Sequence, residues 1–329
     1  MFEHLKRFTP FQDVCALPRI GQYGPLVFLG SCFAENVALC FERHLWPVLR
    51  PPLGAVYQPA ALARQILWLT NPSSEDPLLF QGRDGLWYSW LAHHKMGFPT
   101  SEQLVETMTF RAKLFCQLVR ETPLICITLA HPFTYHEKNV DVVANCHKEP
   151  AFRFEGRMHN LDEIAQEIDL ICCCLRNINP SVPIVWTLSP VRYLAQGMAV
   201  GFLGKALLRV AIHHRCSKHS LEYYFPAYEI QMDDLRDYRY YAADMVHPSQ
   251  EAVEYISRHF MEAFLEPSIK ATHQEGYALA LHCLHRSHRS ETNSQPFQQA
   301  IDFIRKHWPS TIQAYVRELN HVVQQDQIT

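Results

Sequence analysis

The chain has 329 residues, 48% hydrophobic and 19% charged, with a formal net charge of −3. That composition supplies a sizeable core and excludes a disordered chain. The near-neutral balance gives no electrostatic footprint for nucleic acid or an anionic membrane surface. No run of about 18 apolar residues occurs, so no membrane-spanning helix is expected. Met1-Phe2-Glu3-His4-Leu5-Lys6 lacks the basic-then-apolar layout of a secretory signal. The 11 cysteines are odd in number, and several sit in apolar runs such as Leu124-Ile125-Cys126-Ile127. Without a Cys-x-x-Cys or a Cys/His spacing suited to zinc, they read as buried thiols of a reducing compartment. The protein is expected to be cytoplasmic, with no metal.

Residues 1–24, with Pro10, Pro18, Gly21 and Gly24, read as an irregular N-terminal extension. Leu26-Val27-Phe28-Leu29, closed by Gly30, predicts a buried strand. Residues 34–44 predict a helix, with Val37, Cys40 and Phe41 at helical spacing. Pro51-Pro52-Leu53-Gly54 marks a loop, and residues 59–69 a helix with proline at its start. Residues 71–86 read as a surface excursion, 86–92 as a strand and 101–120 as a helix. The second buried strand is 124–129, followed by Ala130-His131-Pro132. Residues 136–160, rich in polar groups and histidine, read as a hairpin or insertion. Residues 161–178 predict a helix with Asp162 and Glu163 in its first turn. Residues 183–188 are a third buried strand with Ser189-Pro190-Val191 as its exit. A helix at 201–214, a fourth strand at 221–225 and a helix at 248–265 follow, Pro248 suiting the helix's first position. A polar stretch and a helix at 297–307 complete the chain.

Strands alternating with helices of ten or more residues predict an α/β fold, a parallel sheet covered on both faces. Ligands of such sheets bind beyond the carboxyl ends of the strands, so loops 30–36, 130–136 and 189–197 should converge. The division expected is an extension (1–24), a main domain (25–265) and a helical C-terminal appendage (266–329).

Two points carry chemistry. Gly30-Ser31-Cys32 follows the first strand and precedes a helix, whose unpaired amides and dipole favour a developing anion. Asp244-Met245-Val246-His247-Pro248 precedes the last helix of the main domain. There the carboxylate can fix the imidazole's tautomer while the other ring nitrogen faces a nucleophile. Structural readings stand beside these: Ser31 and His247 as helix caps, and Arg192 as an ion-pair partner rather than an anion-binding group. Arg236, Asp237 and Arg239 suggest a buried ion-pair network shaping the loop before Asp244. His93-His94 reads as a packed or solvated pair. Cys172-Cys173-Cys174 lies on one helix and points three ways, so it forms no common site.

Gly30-Ser31-Cys32-Phe33-Ala34 resembles the signature of the GSCFA family, part of the SGNH (GDSL-like) hydrolase superfamily. The likeness continues through Asn145-Cys146-His147-Lys148, Ser189-Pro190-Val191-Arg192, Tyr224-Phe225-Pro226-Ala227-Tyr228-Glu229, Leu235-Arg236-Asp237-Tyr238-Arg239 and Asp244-Met245-Val246-His247-Pro248-Ser249. It spans roughly residues 25–265. The resemblance implies a three-layer α/β/α sandwich with a flavodoxin-like parallel sheet of SGNH hydrolase type. It also implies a nucleophile after the first strand, an oxyanion hole and a late Asp-x-x-His. Registering Gly-Asp-Ser of such enzymes on this strand makes Cys32 the nucleophile; the competing register makes it Ser31. By the same resemblance Gly54 is the loop glycine of the oxyanion hole. The usual Gly-x-Asn-Asp block is absent, leaving Asn145 or His131 as the side-chain donor. A Ser-Lys pair is replaced by Gly204-Lys205. The function expected is an ester or thioester hydrolase or acyltransferase on a small-molecule or glycan substrate, needing no cofactor, with coenzyme A as a possible acyl donor. The alternative is a non-catalytic module recognising a small acylated or anionic ligand. Oligomeric state is not legible.

Overall fold

The computed structural model describes residues 18–21, 23–72, 76–138, 140–286, 295–308, 310 and 313. Strand β1 (Leu26–Gly30) leads into helix α1 (Cys32–Glu42), followed by β2 (Val48–Leu49) and α2 (Pro59–Thr70). A short hairpin, β3 (Leu79–Gln81) and β4 (Trp87–Ser89), precedes α3 (Ser101–Glu121) and β5 (Ile125–Leu129). Next come β6 (Phe133–Glu137), β7 (Asp141–Val143) and β8 (Phe154–Met158), then α4 (Leu161–Ile178), β9 (Ile184–Leu188), α5 (Met198–Lys218) and β10 (Glu222–Tyr224). Helices α6 (Ala227–Met232), α7 (Gln250–Phe264), α8 (Pro267–Arg286) and α9 (Gln295–His307) complete the described chain.

The central sheet is parallel, in the order β10-β9-β5-β1-β2. Counting only its own members, that is 2-1-3-4-5, the flavodoxin-like order. Strands β1, β5 and β9 are buried along their whole length, because helices cover both faces. Val27 and Leu29 join a core built with α2, α3, α4 and α5, whereas Leu26 and Phe28 join one built with α1, α6 and α7. The chain is therefore an α/β/α sandwich. Its connections reverse direction between β1 and β5, which opens a crevice at the carboxyl ends of those two strands.

Local signals explain the helix starts. Asn160 and Glu163 form a reciprocal capping box on α4. Helix α7 starts later than expected. Ser249 caps it by accepting the Ala252 amide, and Pro248 lies before the cap, bridged to Tyr241. Gly197, at φ +87°, starts α5 three residues before residue 201. The polar stretch 136–160 is more than a hairpin: with residues 133–135 it forms the antiparallel sheet β7-β6-β8. Residues 86–92 contribute only the three-residue β4, paired with β3 outside the main sheet. After residue 266, α8 and α9 pack beside the end of α1. His44 Nδ1 lies 2.7 Å from His273 Nε2, and Trp308 Nε1 donates to the Leu45 carbonyl at 2.7 Å.

Candidate functional site

Gly30 ends β1 at φ +99°, and a Cβ there would lie 2.1 Å from the Thr128 carbonyl oxygen, so glycine is required. The Ser31 amide donates to that same oxygen at 3.0 Å, and the Val56 amide donates to the Gly30 carbonyl at 2.8 Å. Ser31 holds the N-cap position of α1 without making a cap hydrogen bond, and it is fully buried. Cys32 is the first helical residue and is partly exposed. Burial and the Glu35 carboxylate one turn later push its thiol up to about 11. The amides of Cys32 and Phe33 and the Lys205 ammonium act in the opposite sense. The resting group is thus a thiol.

Beside it, the carboxyl ends of β1, β5 and β9 hold a cluster of unmatched polar atoms. Ser31 Oγ, Thr128 Oγ1, Thr187 Oγ1 and His131 Nδ1 are buried without a hydrogen-bond partner among the described residues. Thr128 pairs in register with Gly30 on one side and Thr187 on the other, so three adjacent strands contribute. Such a concentration of unpaired buried groups is uncommon in folded interiors. His131 lies between Tyr57 and Tyr193, at ring distances of 6.2 and 4.0 Å with near-parallel planes. Burial, reinforced by Lys205, pulls its pKa down to about 3, so the ring is neutral.

Asp244 and His247 form the pair that their spacing predicts. Asp244 Oδ2 lies 2.7 Å from His247 Nδ1, while Oδ1 accepts the Val246 and His247 amides at 2.9 and 3.0 Å. These bonds pull the Asp244 carboxyl down to about 2. An ionised carboxylate can only accept, which assigns the ring proton to Nδ1 and leaves Nε2 as a base. Arg192 holds this loop: its amide donates to the Val246 carbonyl at 3.0 Å, and its guanidinium to the Met245 carbonyl at 2.9 Å. Both side chains of the pair are about half exposed, 50% for Asp244 and 45% for His247. Among the described residues, no hydrogen bond joins His247 to Ser31 or Cys32.

The remaining expected residues are placed as follows. Gly54 adopts φ +83° and packs where a Cβ would meet His93 Cβ at 2.4 Å. Its amide donates to the Pro51 carbonyl at 3.0 Å and is engaged within its own turn. Asn145 Oδ1 accepts the His147 amide at 2.8 Å, closing a turn whose His147 ring packs among Phe80, Tyr88 and Trp90. Arg236 pairs with Asp233 and Arg239 with Asp237, both on the surface; the buried network expected there is not formed, because each pair is local and exposed. Cys172 and Cys174 are buried and Cys173 exposed, as three directions on one helix require.

The burial of one residue escaped the sequence reading. Lys205 is 5% exposed, its ammonium donating to the Ser189 carbonyl and lying 5.4 Å from the Tyr228 ring centre. Burial pulls it down to about 7, while Cys32 and Glu229 act to raise it. Its helix approaches the exit loops closely: a Cβ on Gly201 would sit 2.3 Å from the Tyr193 carbonyl oxygen, and one on Gly204 2.8 Å from Pro132 Cδ. That contact explains glycine at 204, where the resemblance leads one to expect serine. The missed signal was a lysine on the same helical stripe as Gly201, Gly204, Leu208 and Ile212, all buried. Among the described residues, no group of three or more His, Cys, Asp or Glu side chains is arranged for a metal ion. No described helix is long and apolar enough to cross a membrane.

The profile of the GSCFA family matches residues 25–260. Among curated proteins, no sequence matches. Among solved structures, the chain is similar to a carbohydrate esterase family 3 protein from Talaromyces cellulolyticus, at 9% identity and TM-score 0.37, covering 77% of this chain and 99% of that one. It is also similar to a mutant acetyl esterase with an acetate ion, at 9% identity and TM-score 0.38 with the same coverage.

Proposed function

This chain belongs to the GSCFA family, and from that premise we propose that it is an acyl-transfer enzyme acting on an ester or thioester with Cys32 as nucleophile. The observation that carries this reading is the contrast between two neighbours. Cys32 is the partly exposed first residue of α1 at the sheet's switch point, whereas the adjacent Ser31 is sealed in the core. A nucleophile must meet its substrate, and of the two only Cys32 has a surface to do so.

In this mechanism Cys32 Sγ attacks the acyl carbon as its proton passes to His247 Nε2. The C–S bond forms and the carbonyl becomes an oxyanion, held by the amides of Cys32 and Phe33 at the helix start. The oxyanion collapses, the C–O or C–S bond to the leaving group breaks, and His247 returns the proton to that group. Water, or an acceptor hydroxyl, then attacks the thioester with His247 again as base, the C–S bond to Cys32 breaks, and His247 returns the proton to the departing sulfur. Asp244 fixes the ring's tautomer and stabilises its charged form. Because the thiol sits high, deprotonation is concerted with base action, and the nearby Lys205 cation steadies the developing thiolate. Small-molecule and glycan esters, and an acyl-coenzyme A donor, all fit this scheme.

A second reading is a binding module that keeps the fold without the chemistry; the missing His247–Cys32 hydrogen bond favours it. Labelling with iodoacetamide and with a fluorophosphonate, on wild type, Ser31→Ala and Cys32→Ala, tests the assignment alongside turnover of p-nitrophenyl esters. The expected result is iodoacetamide labelling at position 32, read by peptide mapping because Cys173 is also exposed, and turnover that vanish together in Cys32→Ala and survive in Ser31→Ala. Turnover that survives Cys32→Ala removes this nucleophile; no turnover in any form favours the binding module.

A further inference from the structure

Beside Lys205 lies a cavity of about 230 Å³ whose apolar space the proposed mechanism does not use. Its wall includes Tyr193, Met198, Phe202, Lys205, Tyr228 and Tyr241. Three features bind it to the proposed chemistry. Lys205 belongs to the wall and interacts electrostatically with Cys32. The ring row Tyr57–His131–Tyr193 runs along the carboxyl edge of the sheet and ends in the wall. Arg192, also in the wall, holds the carbonyls of Met245 and Val246 within the Asp244–His247 loop. The cavity thus touches the surroundings of both the nucleophile and the base.

Its surface is mainly carbon, and no carboxylate lines it. The wall's Arg192 and Arg236 are already engaged, with the Met245 carbonyl and Asp233. At the mouth, Leu194, Met198, Phe202 and Tyr238 expose 39, 55, 48 and 68% of their surfaces. Met198 and Phe202 are four residues apart on α5 and form one apolar lip. Water is a poor occupant of such a lining, and an alkyl chain a good one. A closed cavity of about 150 Å³ accommodates benzene, so this volume has room for more than six carbons.

We infer that this cavity is the acyl subsite, and that it takes an unbranched acyl chain of medium length, about six to ten carbons, rather than acetyl. The inference rests on the acyl-transfer reading of Cys32. It places the carbonyl carbon at Sγ and the chain past Lys205 toward Met198 and Phe202. Two polar atoms of the wall, Tyr193 Oη beside Tyr135 and Gln196, and Gln231 Oε1, are buried. They are where sugar hydroxyls would bond, so an oligosaccharide is the competing occupant.

Two measurements on the full chain decide it. The first is calorimetric binding of acetate, hexanoate, octanoate and a xylotetraose, which needs no catalysis. The second is kcat/KM for p-nitrophenyl acetate through decanoate. Octanoate should bind at least tenfold more tightly than acetate, as burying several methylenes requires. The kcat/KM ratio of octanoate to acetate esters should exceed ten and fall about tenfold in Phe202→Glu and in Met198→Glu. Both positions are half exposed, so each variant should fold; an unchanged circular-dichroism spectrum checks this. Turnover through Cys32 without chain-length preference overturns the subsite and leaves the nucleophile standing. Xylotetraose binding with no octanoate binding overturns it in favour of a sugar. Octanoate binding that Phe202→Glu abolishes, in a protein whose Cys32 is inert, supports the cavity and removes the nucleophile.

Discussion

The loop that ends β1 and the loop that carries His247 shape their chemistry by opposite means. Around Cys32 the governing force is dehydration. The thiol is pushed up to about 11, while Lys205 is pulled to about 7 and His131 to about 3. Each moves toward its neutral form, as burial demands. Around Asp244 the governing force is hydrogen bonding. Two amides and an imidazole converge on one half-exposed carboxylate and pull it down to about 2, toward its charged form. In the proposed mechanism the difference means that the dry loop would supply reactivity held in check, while the wet loop would supply a base whose orientation survives contact with solvent.

The sharpest way to break this comparison is to empty the dry loop. Cys32→Ala should lower acyl transfer on the order of 10⁴-fold, since nothing else there replaces the nucleophile. Ser31→Ala should change turnover by no more than a few-fold. It should also leave the melting temperature unchanged or raised, because the hydroxyl it removes has no partner to lose. Turnover lost with serine and kept without cysteine reverses the assignment.

The wet loop should respond less. His247→Ala is expected to cost about 10²-fold in kcat, the lower end for a general base. Asp244→Asn should cost about tenfold, because its ring partner is also reached by water. The pH dependence of stability carries a separate signature. The folded carboxyl of Asp244 sits below its ordinary value of 3.8, so its contribution is fully present above about pH 4. It is lost as pH falls through about 2. Urea unfolding of wild type and Asp244→Asn should therefore differ at pH 5 and converge toward pH 2.

Much of this contrast was written in the chain. Leu26-Val27-Phe28-Leu29 and Ile184-Val185-Trp186-Thr187-Leu188 are continuous apolar runs, which only strands covered on both faces need. An Asp three residues before a His, leading into a helix, announced the pair now seen at 2.7 Å. Strand β2 was illegible because two residues, Val48 and Leu49, carry no period and stand close to three prolines. The sheet of β6, β7 and β8 was legible only as a polar insertion, since its strands are mostly half exposed and its register depends on distant pairing. Lys205 was hidden by its own type: a lysine in a helix reads as solvated until the neighbouring glycines show how closely the sheet ends press on it. Gly54, expected as the loop glycine of the oxyanion hole, adopts φ +83° and donates its amide within its own turn.

Lys205 sharpens the dry half with a smaller effect. Its folded pKa, about 7, lies below the ordinary 10.5. Between those values the unfolded chain binds the extra proton, so stability should rise with pH from about 7 to about 10. In Lys205→Met that rise should be absent. Because Lys205 is already neutral by pH 11, Lys205→Met should leave the midpoint of Cys32 alkylation by iodoacetamide near 11. Lys205→Arg, which keeps its charge at that pH, should lower the midpoint. An alkylation profile indifferent to all three side chains separates the lysine from the thiol.

The smallest effect probes whether the wet loop depends on the helix that follows it. Ser249 caps α7 two residues after His247, and Asn160 caps α4 with a capping box. Replacing either by alanine should cost about 1 kcal/mol of stability, read from urea midpoints. Their effects on turnover should part. The Ser249 amide also donates to the Tyr240 carbonyl, and the Ala242 amide to the His247 carbonyl, so the helix start and the base share one hydrogen-bonded turn. Fraying that start in Ser249→Ala should lower kcat two- to fivefold with KM unchanged, the mark of a base held less often in position. Asn160→Ala, equal in stability, should leave kcat unaltered. Equal kcat in the two variants would show that Asp244 and Arg192 alone hold His247, and that the exposed loop is as self-sufficient as the buried one.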